Sequence, residues 1–375
     1  MSPASGAWRP GDDPGRRRFV TVFDDRPHVL EAGGRLEGVD VAYETWGELA
    51  PDRSNAVLVV HALTGDSHAA GPAGPGHPQP GWWDPLIGPG RALDTSRYFV
   101  VCPNVLGGCQ GTTGPASIAT DGRPHGSRFP TITIRDQVVV EAALADRLGI
   151  DQWHAVVGGS MGGMRVLEWA VGFPDRLRHA VVISVGAKAT AEQISWCSVQ
   201  IRAIRADPNW RNGDYDSATP DDDGPHTGLS IARGIGQISY RSELEFDQRF
   251  GRDHQGDEDP LAGDHYAVES YLEYHGAKLA RRFDANSYIV LSEAMNHHDV
   301  GRGRGGVATA LARVTAEVTL AGISSDRLYP LRLQHELAEL VPTAGDVEVI
   351  ESIHGHDGFL IEADAVGKVV GRALS

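Results

Sequence analysis

The sequence predicts an α/β protein with a mostly parallel, doubly wound sheet into which a helical segment is inserted. Short apolar runs such as residues 56–60 are typical of strands that are covered on both faces of a parallel sheet. Such runs alternate with helical patterns in the first half of the chain and again near its end. Helical patterns alone fill the stretch between them. We therefore expect a core domain of residues 19–187 and 296–375 with a helical lid at 188–295.

Composition and charge argue against several classes of protein. The 375 residues carry a formal net charge of −16, which argues against a nucleic-acid partner. No apolar run reaches the roughly 18 residues that span a membrane, and residues 1–18 lack the apolar centre of a secretion signal. Because residues 1–18 are rich in Pro, Gly, Arg and Asp, we expect them to form a disordered leader.

The chain has three cysteines, Cys102, Cys109 and Cys197, an odd number without C-x-x-C pairing. This usage fits a reducing compartment and predicts no disulfide framework. Each thiol is a conceivable nucleophile, but packing is the preferred interpretation. With no membrane or secretion segment in the sequence, we expect a cytoplasmic protein.

The first hundred or so residues are predicted to supply one side of the sheet and its loops. Residues 35–45 alternate between apolar and polar side chains around a glycine turn, which predicts an antiparallel hairpin at the sheet edge. Buried strands are expected at 56–60 and 98–102. Residues 71–91 and 107–115 are rich in glycine, and we expect packed loops there. The second loop lacks the G-K-[ST] ending of a phosphate-binding loop and is expected to form a wall of the pocket.

A strand-to-helix turn provides the predicted nucleophile. An apolar strand pattern at 155–157 is followed by Gly158, Ser160 and Gly162 at G-x-S-x-G spacing, and a helical pattern begins at 164. This is the pattern of a nucleophile elbow, in which small neighbours allow a tight turn that exposes the serine hydroxyl. The motif alone is a weak signal, since such a turn can be purely structural.

The predicted base and acid come late in the chain. In this kind of fold they follow the serine in the order Asp or Glu, then His. Asp326 comes just after an apolar run at 317–322, and His356 comes just after another at 347–350. We therefore predict Ser160 as the nucleophile, His356 as its base and Asp326 as the acid that orients the imidazole.

Two backbone N–H groups are the predicted oxyanion donors. Met161 directly follows the nucleophile at the turn into the helix, and Leu63 lies in the loop after strand 56–60, where such a donor commonly lies. His61 in that loop is a rival base, but we favour a structural role for it.

We predict no metal site, because no Cys or carboxylate cluster completes the histidine pairs 354/356 and 297/298.

The expected lid contains four helical patterns, at residues 192–206, 229–239, 266–283 and 287–295. Two acidic stretches, 212–228 and 253–264, separate these patterns and are expected to be mobile surface loops. A lid is chemically useful where an acyl-enzyme has to be shielded from water.

Several stretches taken together are more specific than the elbow alone. They lie in register at residues 61–65, 107–115, 158–163, 238–242, 299–303 and 355–359. With these stretches the chain, from about residue 19 to the C-terminus, resembles the homoserine O-acetyltransferase family. The resemblance implies an α/β-hydrolase fold with a helical lid, usually dimeric through that lid. It also implies ping-pong transfer of acetyl from acetyl-CoA to the γ-hydroxyl of L-homoserine in methionine synthesis.

The same resemblance implies the substrate-binding residues. It places them at Arg233 and Tyr240 in the lid and at Asp357 beside the predicted base. Homoserine is a zwitterion, so Arg233 is expected to receive its carboxylate and Asp357 its ammonium group. The expected partners are acetyl-CoA, as a co-substrate, and homoserine, with no other cofactor and with a second copy of the chain as a homodimer.

Three alternatives stay open. The same scaffold would accept succinyl-CoA as donor or serine as acceptor, although residues 107–115 contain Gln110 and no arginine that would hold a succinyl carboxylate. A plain serine esterase would hydrolyse esters without an alcohol acceptor. A binding protein without activity would not need the complete set of Ser160, Asp326 and His356.

Overall fold

The computed structural model describes residues 4–215, 223–257 and 259–375. At its centre is an eight-stranded sheet. In chain order its strands are β1 (Arg18–Val22), β2 (Val39–Trp46), β3 (Ala56–Val60), β4 (Phe99–Pro103), β5 (Trp153–Gly159), β6 (Leu177–Ile183), β7 (Glu317–Ile323) and β8 (Glu348–Ile350). Across the sheet the order is β1-β2-β4-β3-β5-β6-β7-β8. The pairs β1/β2 and β2/β4 are antiparallel and the others are parallel, which confirms the predicted fold class.

Helices cover both faces of the sheet and fill the insertion. Their bounds in the described chain are α1 (Ile134–Leu148), α2 (Met161–Gly172), α3 (Ala191–Ala206), α4 (His226–Tyr240), α5 (Glu243–Arg249), α6 (Ala267–Ala280), α7 (Ala285–Asn296), α8 (Val307–Leu311), α9 (Arg332–Leu340), α10 (Gly358–Ile361) and α11 (Ala363–Ala373). Within the described residues, no helix combines the length and the apolar character that crossing a bilayer requires.

Local chemistry explains where these elements begin and end. All five residues of β3 are buried, as expected for a strand covered on both faces. α1 begins with a capping box in which the Thr133 and Asp136 side chains bond each other's backbone N–H groups. It ends at Gly149, whose left-handed φ of 69° suits glycine.

The sheet edge is antiparallel, but the hairpin expected within residues 35–45 is wrong. β2 pairs with β1, so that Val41 lies opposite Val20, whereas the short strand Arg35–Leu36 pairs with His28–Val29. β2 is eight residues long and buries most of its side chains, and the two-residue strand before it is too short to partner it. The two strands that flank the glycine turn therefore do not pair with each other, and each pairs with an earlier strand.

Residues 4–17, expected to belong to a disordered leader, pack against the rest of the molecule. Ala4 is only 3% exposed, and the Ser5 hydroxyl donates to the Asp284 carboxylate at 2.8 Å. The Gly6 N–H donates to the carbonyl oxygen of Phe283 at 3.2 Å. The expected disorder is therefore wrong for these residues, because their stabilising partners lie far away in sequence. Residues 1–3 lie outside the described residues.

Helices α3 to α7 lie between β6 and β7, and α4 packs against both α3 and α6. The short helix α5 was not expected; it begins where the Ser242 hydroxyl accepts the N–H of Glu245. The two expected mobile loops fall partly on residues 216–222 and 258, outside the described residues. Tyr215, at the start of the first loop, is packed, since its hydroxyl donates to Asp284 at 2.8 Å. We propose that residues 188–295 act as a lid over the sheet.

Candidate active site

The turn between β5 and α2 has the strained backbone that an elbow requires. Ser160 has φ 57° and ψ −127°, a region that residues other than glycine rarely adopt. Its N–H donates to the carbonyl oxygen of Ile183 on β6 at 3.0 Å, which anchors the turn to the sheet. A Cβ on Gly162 would come within 2.2 Å of the Val60 carbonyl oxygen, and one on Gly158 within 2.6 Å of the Val60 side chain. The two glycines of the motif are therefore required by close packing.

Ser160, His356 and Asp326 form one hydrogen-bonded chain. The Nε2 atom of His356 lies 2.7 Å from the Ser160 Oγ, and its Nδ1 atom lies 2.7 Å from the Asp326 Oδ2. All three are buried, with exposures of 8%, 2% and 5% for Ser160, His356 and Asp326. The ring carrying its proton on Nδ1 satisfies both bonds, since it donates to the carboxylate and accepts the serine proton.

Backbone groups hold the acid in place. The other carboxylate oxygen of Asp326, Oδ1, accepts the N–H groups of Leu328 at 2.9 Å and of Tyr329 at 2.8 Å. This leaves Oδ2 directed at the imidazole.

Two aromatic side chains missed by the sequence analysis surround the imidazole. The Tyr329 ring stacks on His356 with 4.9 Å between centroids, and the Phe359 ring lies 5.4 Å away at a steep angle. Phe359 also packs against Gly159, where a Cβ would come within 2.7 Å of its ring. Each aromatic residue lies three positions after a predicted catalytic residue, the one local signal that could have drawn attention to them.

The hydroxyl of Ser160 faces a cavity of about 110 Å³, here called the catalytic cavity. Among its walls are the predicted residues Leu63, Arg233, Tyr240, His356 and Asp357. Helix α3 adds Cys197, for which the sequence favoured packing, and Gln193, Trp196 and Gln200, which the sequence analysis did not single out. Their spacing of three and four residues places them on one helix face, which is the pattern that could have found them. The sheet domain and the inserted helices therefore both contribute walls of the catalytic cavity.

The two predicted oxyanion donors belong to the residue after Ser160 and to a residue in the wall of the catalytic cavity. Met161 is the first residue of α2, so its N–H is among those that the helix leaves without an internal acceptor. Leu63 lies in the loop after β3 and lines the catalytic cavity. The positive end of the α2 dipole points toward the same region.

Arg233 and Tyr240 lie on the lid side of the catalytic cavity. The guanidinium of Arg233 lies 5.4 Å from the centre of the Tyr240 ring. Among the described residues, no carboxylate lies within salt-bridge distance of Arg233, so this cation is available to an anionic ligand. Burial raises the pKa of the Tyr240 phenol, which therefore keeps its proton.

Asp357 has a protein partner that the sequence did not predict. Its Oδ2 atom lies 3.0 Å from Nε of Arg241, whose Nη1 atom lies 2.7 Å from the Glu245 carboxylate. The loop that carries His356 is also tied to the lid, because the Ser242 hydroxyl donates to the carbonyl oxygen of Ile353. The junction between α4 and α5 therefore fixes the position of Asp357.

His61 is held by two hydrogen bonds, and burial disfavours the thiolate forms of Cys109 and Cys197. The Nε2 atom of His61 accepts the N–H of Val105 at 3.0 Å, and its Nδ1 atom donates to the carbonyl oxygen of Ala62 at 2.8 Å. Burial lowers the pKa of His61 to about 3, so the ring stays neutral. Burial also raises the pKa of the Cys109 and Cys197 thiols to about 12. These contacts support the structural roles favoured from the sequence.

One buried cluster holds potential metal ligands, Glu44, His68 and His77, whose ligand atoms lie within 4.8 Å of one another. The rings of His68 and His77 are stacked, with 3.8 Å between centroids and 10° between planes. A metal ion lies in the plane of each imidazole that binds it, and two parallel stacked planes share no such point. His68 bonds Glu44 at 2.9 Å, and Nε2 of His77 accepts the N–H of Arg16 at 3.0 Å. This geometry favours a hydrogen-bonded structural cluster.

The loop at 107–115 lies elsewhere than expected. It does not line the catalytic cavity, so the expected wall is wrong there, although Gln110 lines a neighbouring cavity. The Gln110 amide instead donates to the carbonyl oxygens of Arg282 at 2.9 Å and Gly6 at 3.1 Å, and its oxygen accepts from Arg17. Gln110 therefore bridges the N-terminal segment and the lid, and the argument for an acetyl donor from its position fails.

A comparison with known families agrees with the fold and with the elbow. A family model described as alpha/beta hydrolase fold matches residues 55–362. The chain therefore belongs to the alpha/beta hydrolase fold family.

Individual relatives identify a more specific family within this fold. A curated protein from Thermobifida fusca (strain YX) named homoserine O-acetyltransferase is 61% identical over 374 residues, which cover 100% of this chain and 97% of the relative. A crystal structure of homoserine O-acetyltransferase from Bacillus anthracis is 28% identical with a TM-score of 0.86, covering 96% of this chain and 97% of that one. The chain is a member of the homoserine O-acetyltransferase family. The crystal structure of esterase E22 is equally similar in fold, with a TM-score of 0.86, 27% identity, and coverage of 96% and 99%.

Proposed function

We propose that the protein transfers an acetyl group from acetyl-CoA to the γ-hydroxyl of L-homoserine, as a step of methionine biosynthesis. One observation carries the proposal. The hydrogen-bonded chain of Ser160, His356 and Asp326 opens into a small cavity that also presents a guanidinium, Arg233, and a carboxylate, Asp357. A nucleophile that shares one cavity with a cation and an anion suits a zwitterionic amino acid whose side chain carries the accepting hydroxyl.

In the first half-reaction Ser160 attacks the thioester carbonyl of acetyl-CoA. The Nε2 atom of His356, 2.7 Å from the hydroxyl, takes its proton as the new C–O bond forms. The N–H groups of Met161 and Leu63 stabilise the resulting oxyanion. His356 then returns the proton to the sulfur of the leaving CoA, and an acetyl-serine remains. Asp326 keeps the imidazole in the required tautomer and stabilises its cation.

In the second half-reaction homoserine takes the place of CoA. Arg233 binds its carboxylate and Asp357 its ammonium group, which directs the γ-hydroxyl at the acetyl carbonyl. His356 removes the hydroxyl proton, the ester forms, and Ser160 regains its proton. The side chains and the thioester supply the chemistry, so the reaction proceeds without a further cofactor.

The decisive experiment measures thiol release from acetyl-CoA and from succinyl-CoA, each with homoserine, with serine or with no acceptor. We expect release to depend on acetyl-CoA and homoserine together and to disappear in Ser160→Ala. A matched control is Ser195→Ala, which changes an exposed lid serine bonded only within its helix and should leave the rate unchanged. A preference for succinyl-CoA or for serine would overturn the proposed substrates.

A second candidate function is hydrolysis of acetyl esters. It is favoured by the equal TM-scores of 0.86 against esterase E22 and against the acetyltransferase from Bacillus anthracis. The two functions differ in the fate of the acetyl-enzyme. Steady release of acetate without homoserine, at the rate seen with it, would identify an esterase.

We also propose that the protein is a homodimer through the lid and acts in the cytoplasm, where acetyl-CoA and homoserine are available. Large apolar side chains are exposed on three lid helices: Val199 (48%), Ile231 (52%) and Tyr274 (57%). Unpartnered apolar side chains on neighbouring helices are typical of an interface. Light scattering after gel filtration should give twice the mass of the chain, and Ile231→Lys should give the monomer. A wild-type monomer would refute the dimer.

A further inference from the structure

A second cavity, of about 230 Å³, adjoins the catalytic cavity at Thr64, which lines both. We call it the side cavity and define it by Thr64, Asp66, Trp82, Gln110, Lys278 and Arg282. The mechanism described above uses none of these side chains. The side cavity lies beside the loop after β3 on one side and the end of α6 on the other.

The side cavity contains two cations without a carboxylate partner. The guanidinium of Arg282 donates to the Thr64 carbonyl oxygen at 2.9 Å. Throughout the described ranges, no carboxylate lies within salt-bridge distance of Arg282 or Lys278. Burial lowers the pKa of Arg282, which means that its charge is held at a cost in solvation that a bound anion would offset. Arginines in such positions are common anion ligands.

The side chains that line the side cavity carry less negative charge than positive charge. Among the described residues that line it, Asp66 is the one acid, and its Oδ1 atom already accepts the N–H of His68 at 2.8 Å. The two lining histidines, His68 and His77, are stacked on each other and associated with the buried Glu44. Among the described side chains that line the side cavity, the cations Lys278 and Arg282 outnumber the single acid Asp66, in a chain whose formal net charge is −16. Local charge of the opposite sign to the whole protein is typical of a site for a charged ligand.

From these observations, and resting on the proposed function, we infer that the side cavity binds the phosphate groups of the acyl donor through Arg282 and Lys278. The thioester end of the donor then lies at Ser160, and its neutral pantetheine arm passes Thr64 between the two cavities. Guanidinium and ammonium groups hold phosphate oxygens by charge-assisted hydrogen bonds.

The test compares acetyl-CoA with S-acetylpantetheine, a donor with the same thioester and no phosphates. In Lys278→Gln and Arg282→Gln we expect the KM for acetyl-CoA to rise about tenfold or more, the size expected for a lost bond between charged groups. The kcat/KM for S-acetylpantetheine should stay at the wild-type value in Lys278→Gln. The inhibition constant of adenosine 3′,5′-bisphosphate should rise in parallel with the KM for acetyl-CoA. Arg281→Gln, which changes the exposed neighbour of Arg282, is the matched control and should alter neither donor.

Arg282→Gln also removes the hydrogen bond to the loop that contains Thr64. Lys278→Gln is therefore the variant that tests the phosphate site. An equal loss with both donors in Lys278→Gln, or no change with acetyl-CoA, would overturn the phosphate site. Failure of the proposed function would appear in the wild type itself, as thiol release that does not depend on homoserine. That result would remove acetyl transfer to homoserine but leave the phosphate site to be decided by the two donors in Lys278→Gln, whereas an equal loss in the variant would remove the inference alone.

Discussion

Replacing Arg233 with glutamine should separate the two half-reactions. The guanidinium contacts the Tyr240 ring and has no carboxylate partner among the described residues, so its removal breaks little of the fold. A cation–π contact of this kind contributes about 0.5–2 kcal/mol. We therefore expect a folded variant that still forms the acetyl-enzyme but binds homoserine poorly.

The magnitude follows from the bond that is lost. A hydrogen bond between charged groups contributes about 1.5–3 kcal/mol. At about 1.36 kcal/mol per factor of ten, kcat/KM for homoserine should fall roughly 10- to 150-fold. The burst of CoA release in the absence of homoserine should keep its wild-type rate, because the first half-reaction does not use Arg233.

Two assays check this expectation. Rapid mixing with acetyl-CoA measures acetyl-enzyme formation, and steady-state kinetics measures the dependence on homoserine. Arg202→Gln is the matched control, since Arg202 is an exposed arginine on α3 and should leave both unchanged. A burst rate that falls as much as kcat/KM for homoserine, or an unchanged homoserine dependence, would refute the assigned role.

Three further predictions concern the fold around the site. Arg165 and Glu141 form a buried ion pair at 2.7 Å, so Glu141→Ala should lower the free energy of unfolding in urea by about 3–5 kcal/mol. Gly159→Ala places a Cβ 2.7 Å from the Phe359 ring beside His356, the proposed base, and should lower kcat about tenfold or more and stability by about 1–3 kcal/mol. Finally, burial lowers the pKa of His61 to about 3. Protonation below the ordinary histidine value near 6.5 therefore favours the unfolded chain, and from pH 7 to 5 His61 should reduce the unfolding free energy by about 2 kcal/mol.

Matched controls test each of these. The exposed pair of Arg372 and Glu348, at 2.9 Å, is solvated, so Glu348→Gln should change stability by less than about 1 kcal/mol. An alanine Cβ at Gly371 meets nothing within 4 Å, so Gly371→Ala should keep full activity. For the pH prediction, His61→Asn should flatten the loss of stability between pH 7 and 5. A variant with the wild-type slope would contradict the assignment of that loss to His61.

The sequence alone determined the sheet, the elbow and the order of the candidate catalytic residues. These depend on local patterns: apolar runs specify buried strands, and Gly158 and Gly162 permit the turn around Ser160. Chain order then predicts proximity, because the carboxyl ends of parallel strands meet at one edge of the sheet. That rule brought Asp326 and His356 to the serine although His356 lies 196 positions from it in the sequence.

Only the tertiary structure decided which side chains support that arrangement. The ion pair of Arg241 with Asp357, the position of Gln110 and the packing of Ser5 on Asp284 all join segments that no local pattern relates. Composition predicted a disordered leader because residues 1–18 are rich in Pro, Gly, Arg and Asp. The energy that orders residues 4–17 comes from partners as much as 279 positions away, and such partners are defined only once the sheet and the lid have brought them together.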